Sequence, residues 1–523
     1  MKKISKSIKL IYLLFSAVLL FACSDDDNIP NTESENGSNI NSEIEINPSE
    51  GINLYGFIGD ENDDPLSGVV VSDGFSCVAT NEKGVYEMKR NEEATHVFYS
   101  VPSDCEINTF SPTVSMASFY QPLTDAQRYD FKLKKLAQEE TNFTFLCIGD
   151  PQVKDDSQIK RFRNEIMDDI DDFKKSSSKP IYALAMGDMV HDKPALFNPM
   201  KEAIGSIGIP VFTTIGNHDK VASLDNNEPR NSKQFCEVYG PLNYSFNRGN
   251  VHFICLDNVM FSNSTDYGAG FTDEQVEWLK ADLSFVPKNK MIVCFYHIPI
   301  RNSNSIVVRN KAQILELFSG YAEVHLMCGH THYNDNFQLT TPVSAYEHIH
   351  AASCGAWWKS VVNGDGTPNG YGVYEVNDVN MENWFYKSAQ FDQSHQFRLH
   401  WGDAVFGTFN GGYTYGKPDY TLIGNIWNAD SSWEIKVYVD DEYKGEMKKL
   451  NLKKDAWAMG YHIGVLNLSV STYTTTTNHL YYYNLKGVDR NANIRVVATD
   501  GFGNVYEETN ITTTLDTAEK YLE

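Results

Sequence analysis

Five strand-length apolar runs in the middle of this chain each end on the same small set of polar residues, and this repeated ending constrains the fold more than any other feature. Residues 143–148 lead into Gly149-Asp150-Pro151-Gln152, and residues 181–186 into Gly187-Asp188-Met189-Val190-His191-Asp192. Residues 211–215 lead into Gly216-Asn217-His218-Asp219, 291–296 into His297-Ile298-Pro299, and 324–328 into Gly329-His330-Thr331-His332. Helical patterns at 157–173 and 272–283 alternate with the runs, as expected of an α/β layered domain. In open α/β sheets the ligand lies beyond the carboxyl ends of the strands, so five such endings can share one crevice. A lone Asp or His after a strand is usually a turn former. Five such endings together, four of them preceded by glycine that permits close backbone approach, point to a site.

Carboxylate, imidazole and amide oxygen donors together suit divalent Mn, Fe or Zn, and a shared carboxylate can bridge two ions. The order Asp-x-x, Gly-Asp, Gly-Asn-His-Asp, His, Gly-His-x-His across residues 141–376 resembles the calcineurin-like metallophosphoesterase family. The resemblance implies an α/β fold with a layered β-sandwich core. It also implies that Asp150, Gln152, Asp188 and His332 surround one metal while Asp188, Asn217, His297 and His330 surround the other, with Asp188 as the bridge. One position departs from the common pattern, which has His where this chain has Gln152. A neutral amide oxygen is harder than imidazole and favours Mn or Mg over Zn.

Two ions about 3.5–4 Å apart lower the pKa of a bridging water and clamp phosphoryl oxygens, so the expected nucleophile is a hydroxide bridging the metals. His218 is the candidate for protonating the leaving-group oxygen, with Asp219 expected to orient its ring and keep it protonated. His191 and Asp192 read equally well as supports of the site or as a solvated loop, and His252 reads as a strand residue. Glu347, His348 and His350 precede Cys354-Gly355-Ala356-Trp357-Trp358, a stretch resembling a signature of the subfamily with extra amino- and carboxyl-terminal domains. His348, Trp357 and Trp358 are the expected substrate contacts.

On either side the helical pattern vanishes. Residues 51–135 run as short alternating strands broken by Gly and Asp, which fits a small β-sandwich. The stretch from Leu66-Ser67-Gly68-Val69 to Thr80-Asn81-Glu82-Lys83-Gly84-Val85-Tyr86 resembles transthyretin-like or carboxypeptidase-regulatory-like modules, which implies a structural spacer. Residues 377–523 read as a second all-β sandwich, with Trp384, Trp401, Trp427, Trp433 and Trp457 as packing residues and the Thr- and Tyr-rich stretch 471–485 as strand. Cys77 and Cys105 share the first β-domain and are a candidate disulfide in an oxidising envelope.

The beginning of the chain reads as an address. Lys2, Lys3, Lys6 and Lys9 precede an apolar run over 10–21, the order and length of a signal peptide and too short for a relaxed membrane span. Leu20-Phe21-Ala22-Cys23 resembles the lipobox of bacterial lipoproteins, which implies removal of residues 1–22 and lipidation of Cys23. Ser24-Asp25-Asp26-Asp27 resembles the acidic export tag of outer-membrane lipoproteins, and residues 23–50 read as an acidic flexible tether. The expected location is therefore the outer membrane, with the folded part exposed at the surface.

The 523 residues carry 44 Lys and Arg against 69 Asp and Glu, a formal charge of -25. That balance argues against binding a nucleic-acid backbone through a broad basic face, but not against a small phosphoester held by metal ions. The expected function is a dimetal-dependent phosphoester hydrolase: a phosphodiesterase, phosphatase or nucleotide hydrolase, with phosphodiester or nucleotide-type substrates favoured. The alternative is a surface binding protein for glycan or protein that keeps the fold as a scaffold. The presence of Asp188, Asn217, His218, His297, His330 and His332 together weighs against it.

Overall fold

A computed structural model describes residues 44–221, 231–263, 265–301, 308–408, 411–451 and 453–515. The expected signal peptide, Cys23 and most of the tether lie outside the described residues. No helix among the described residues is long and apolar enough to cross a membrane.

Two mixed sheets packed face to face form the central layer. In the first, Asn142–Ile148, Ile181–Ala185 and Val211–Thr213 run parallel in that order, with Gly370–Asn377 antiparallel to Asn142–Ile148 and Asn380–Ser388 beyond it. In the second, Val251–Cys255, Met291–Phe295, Val324–Cys328 and Ala345–Ile349 run parallel between antiparallel edges Tyr244–Arg248 and Asp335–Leu339. The parallel strands are buried on both faces, and their near-continuous apolar sequences follow from that. Aromatic rings join the sheets: Phe212 of the first stacks on Phe246 of the second at 3.6 Å, and Phe145 of the first meets Phe253 of the second edge-on at 5.5 Å, while Phe246 and Phe253 stack as cross-strand partners at 4.5 Å. Such pairs contribute about 0.5–1.5 kcal/mol each beyond their burial, so they bind the layers that carry the two halves of the site.

Helices cover the outer faces as the alternation predicts. The stretch 156–176 is helical throughout, with one widened turn at Phe162–Met167, and buries Ile159, Phe162, Ile166 and Ile170 against the first sheet. Helix Asp273–Leu283 starts at Thr272, whose hydroxyl accepts from the Gln275 amide while the Gln275 side chain accepts from the Thr272 amide.

The flanking segments are built mainly of strands and are not fully separate; the last one, expected to be all-β, also holds a helical stretch, Ala456–Met459 continuing into Gly460–Val465, that buries Trp457 and Tyr461. Strand Val114–Ala117, paired with Thr109–Ser111, adds to the far edge of the first central sheet through Met116 and Val211. The rest of the first segment forms a three-stranded and a four-stranded sheet. At the other end, Asn380–Ser388 continues the first sheet past the expected boundary at 376, because its hairpin with Gly370–Asn377 pairs along its whole length. The last segment then folds into a five-stranded and a four-stranded sheet around buried Trp401, Trp427 and Trp457. Within the stretch expected as strand, Val470–Tyr473 is a helical turn, and strands follow only at Thr476–Thr477 and Leu480–Asn484. All eight described cysteines are free thiols, the candidate pair Cys77 and Cys105 among them; each sits in its own partly or wholly buried environment.

Candidate metal centre and its surroundings

The five strand ends meet at one edge of the layered core, where each loop is pinned to a neighbour. The Gln152 amide donates to the Asp188 carbonyl at 2.7 Å, and the His330 amide donates to both carboxylate oxygens of Asp150 at 3.1 and 2.9 Å. The His218 amide donates to Asp188 Oδ1 at 2.8 Å. His297 engages the Met186 carbonyl through Nδ1 at 2.7 Å, which turns Nε2 inward. That Nε2 lies 3.0 Å from Asn217 Oδ1, 3.2 Å from His330 Nδ1 and 3.4 Å from Asp188 Oδ2. His332 Nε2 lies 3.7 Å from Asp150 Oδ1, and Gln152 Nε2 donates to Asp188 Oδ2 at 3.2 Å. All seven residues expected to surround metals are therefore together.

The backbone is strained where these residues sit. Asp150, Gln152, Asp188, His330 and His332 all have positive φ, between 37° and 70°. Such conformations cost about 1–3 kcal/mol each and persist where the surroundings over-determine them. Close approach does part of this: a Cβ on Gly329 would lie 2.3 Å from Asp150 Oδ2.

The charged groups of this edge are buried side by side, and each shifts the others. Burial pushes Asp150 up to about 8. Burial would also raise Asp188, but the facing His297 holds it well below the usual carboxylate range. Burial would lower His297, yet the carboxylates of Asp188 and Asp150 keep it near 9. Burial and the charge of His297 drive His330 down to about 3, and burial does the same to His332. Gln152 Oε1 and His332 Nδ1 are buried with no hydrogen-bond partner, a costly state that a bound cation relieves. The donor set fits two divalent ions. Asp188, His297 and His330 offer ligand atoms within 4.8 Å of one another.

Other expected roles are redistributed. Asp219 does not touch the His218 ring: it is fully buried and accepts from the amides of Gly216, Met189 and Val190 at 3.0–3.1 Å, so it braces the loops carrying Asn217 and Asp188. The ring of His218 instead meets Asp192 Oδ1 through Nδ1 at 2.9 Å, and His191 stacks on it at 4.1 Å. Burial lowers His218, but the carboxylates of Asp192 and Asp188 together reverse this and leave it raised. His348 is buried in its strand with both ring nitrogens occupied, by His325 and by the Asn336 side chain, and cannot reach a substrate. Trp358 is also buried; its indole N–H donates to the Pro151 carbonyl at 2.8 Å, making it a prop for the Asp150 loop. Trp357 is half-buried, its ring 4.6 Å from that of His332.

Glu347 accepts from Tyr296 and from the amides of Ile300 and Arg301, which shapes the loop after His297. His350 is tied to the Cys328 carbonyl and Tyr374, and His252 is a strand residue paired with Asp282. Three residues escaped sequence reasoning. Asn258 accepts from the amides of His297 and Ile298, Tyr267 stands edge-on to His330 at 5.9 Å, and Tyr473 stands edge-on to Trp357 at 5.4 Å. None lies in a motif; only the fold brings them to the site.

Residues 143–334 match the family model described as calcineurin-like phosphoesterase. The flanks, 53–136 and 347–506, match models for the N-terminal and C-terminal parts of calcineurin-like phosphoesterase. Among curated proteins, the chain is 24% identical over 165 residues to a glycerophosphodiester phosphodiesterase, GpdQ, of Enterobacter lignolyticus (strain SCF1). The match covers 29% of this chain and 56% of that protein, so the chain spans little more than half the length of the curated relative it matches. Similar solved structures include a dimetal phosphatase from Danio rerio, with 14% identity, TM-score 0.33, and coverage of 45% of this chain and 93% of that one. A purple acid phosphatase, PPD1, of yellow lupin (Lupinus luteus) has 13% identity, TM-score 0.34, and coverage of 48% and 52%.

Proposed function

We propose that this chain, which belongs to the calcineurin-like phosphoesterase family, is a metal-dependent phosphoric ester hydrolase. We propose further that it acts on small phosphodiesters or nucleotide-type substrates. The observation that carries the reading is the convergence of seven donor residues, two of them with buried unpaired atoms, on one strained edge of the sheets. In this reading Asp150, Gln152, Asp188 and His332 hold one divalent ion, and Asp188, Asn217, His297 and His330 hold the other. Bound ions supply an acidified water at neutral pH and neutralise phosphoryl charge. The chain supplies orientation and a proton. Asp192 engages His218 Nδ1, which leaves Nε2 to protonate the departing oxygen. Asp219 acts as a positioning residue through the three amides it accepts from. Gln152 favours Mn or Mg over Zn at its ion.

The test is residues 24–523 stripped of metal, reloaded with Mn, Mg, Zn or Fe, and assayed on aryl phosphate monoesters and diesters beside Asp188→Asn. Metal-dependent hydrolysis that disappears in Asp188→Asn supports the reading, and a faster diester supports the substrate class. Metal binding without hydrolysis of either ester defeats the enzyme, and absence of metal binding defeats the site. The proposed location is the cell envelope, by a lipid on Cys23. Incorporation of labelled fatty acid that persists in Cys23→Ser refutes that anchor.

A further inference from the structure

Trp357 and Trp358 are consecutive bulky residues in the left-handed region, with φ of 49° and 60°. The second of them is locked in place. Its indole donates to the Pro151 carbonyl, its own carbonyl accepts from Arg161 Nη1 at 2.7 Å, and the Arg161 guanidinium lies 5.2 Å over its ring. The first gains no such anchor, and the strain serves to present its half-buried ring beside His332.

The last β-domain closes the arrangement. Tyr473 meets the Trp357 ring edge-on, at an interplanar angle of 89°. It is held by its own carbonyl against His462 Nδ1 at 2.7 Å, while the Thr475 amide donates to the Gly364 carbonyl at 3.0 Å. The same domain is clamped to the loop after His332. His479 lies 3.0 Å from buried Asp365, which accepts from the Asn334 amide at 3.0 Å, and Asn478 donates to Asp335 at 3.0 Å. Across the metal donors, Tyr267 stands beside His330 with 40% of its surface exposed.

We infer that the last β-domain builds one wall of the substrate cleft, in which Tyr473 and Trp357 receive a planar aromatic substituent of the phosphoester. This rests on the proposed phosphoester reading and deepens it to a substrate class. Edge-to-face and offset ring contacts favour an aromatic group over a methyl group by roughly three- to tenfold in affinity.

The test measures binding of phenylphosphonate and methylphosphonate to the Mn-loaded full chain by calorimetry, with metal content and hydrolysis of an aryl phosphodiester recorded on the same samples. The expected result is three- to tenfold tighter binding of the phenyl compound. Tyr473→Ala and Trp357→Ala should each bring the ratio toward one with metal content retained, and Tyr473→Phe should keep it. A ratio near one in the unmodified protein, or a ratio unmoved in both alanine variants, overturns the inference. Hydrolysis with a ratio of one sinks the wall and spares the enzyme. A sustained ratio without hydrolysis does the reverse.

Discussion

Replacing Gly216 with alanine tests whether the spacing of the donors is what the fold was built to hold. An ideal Cβ there would lie 2.1 Å from Asp188 Oδ1 and 2.2 Å from the Asp188 nitrogen, whereas ordinary contact begins at 3.4 Å. The overlap exceeds 1 Å. Gly216 has φ -106° and ψ 176°, a conformation open to any residue, so the cost is steric and not conformational. Asp188 cannot yield cheaply. Its carbonyl accepts from Gln152, its Oδ1 accepts from His218, and its own φ is already 49°. Overpacking of this kind costs about 1–3 kcal/mol, within the ~5–15 kcal/mol that holds a domain together, so the variant should fold. A donor displaced by about 1 Å costs on the order of a hundredfold in turnover. Because Asp188 is the proposed shared ligand, bound metal should fall as well. The measurements are circular dichroism, metal content by mass spectrometry and turnover of an aryl phosphodiester, beside Gly268→Ala, whose added methyl meets nothing within 4 Å. A folded Gly216→Ala with the metal content and turnover of the unmodified protein refutes the reasoning.

Other consequences are open to direct measurement. Asp192→Asn removes one of the two carboxylates that raise His218, so the basic limb of turnover on alkyl esters should move to lower pH; Asp192 is 62% exposed and Asp188 remains, which limits the shift to under about one unit. An unmoved limb refutes the pairing. Trp358→Ala should lower stability by about 3–5 kcal/mol in urea denaturation while Trp357→Ala changes it little, and equal losses would contradict their opposite placements. Gln152→His should tighten Zn binding in chelator competition, and identical Zn affinities in the two forms count against the amide as a ligand. The metal-free protein should lose stability as pH rises from about 6.5 to 9. Asp150, raised to about 8, and His297, raised to about 9, bind more protons folded than unfolded in that window, whereas the depressed His330 and His332 act only below it. A melting temperature that rises across this range without metal defeats the account.

Much of the central domain could be read from local pattern, because the parallel strands are apolar end to end and each stops on a glycine or a ligand-type residue. What the pattern does not carry is direction. Asn217, His218 and Asp219 are consecutive, yet they occupy one tight turn that sends the Asp219 carboxylate back to the amides of Gly216, Met189 and Val190. The partner of His218 comes from the loop after Asp188, 26 residues away in the chain. Likewise Trp357 and Trp358 differ by one position and by a reversal of side, one ring toward His332 and the other under the Asp150 loop.

Sheet membership is hidden from the local pattern for a related reason. Met116 joins a central sheet whose neighbouring strand begins at Val211, and nothing in the short strand around Met116 announces so distant a partner. Tyr473 is the extreme case. A Thr- and Tyr-rich stretch reads as strand by propensity, but tertiary contacts override a weak local preference, and the chain turns helically at Val470–Tyr473 with Thr475 bonded to Gly364. Ligands that must surround an ion are confined to a few residue types and so leave a trace in the sequence. The proposed wall needs only a ring at the right distance, which can be drawn from any aromatic in any element, so Tyr473, unlike Trp357, stands where no motif points.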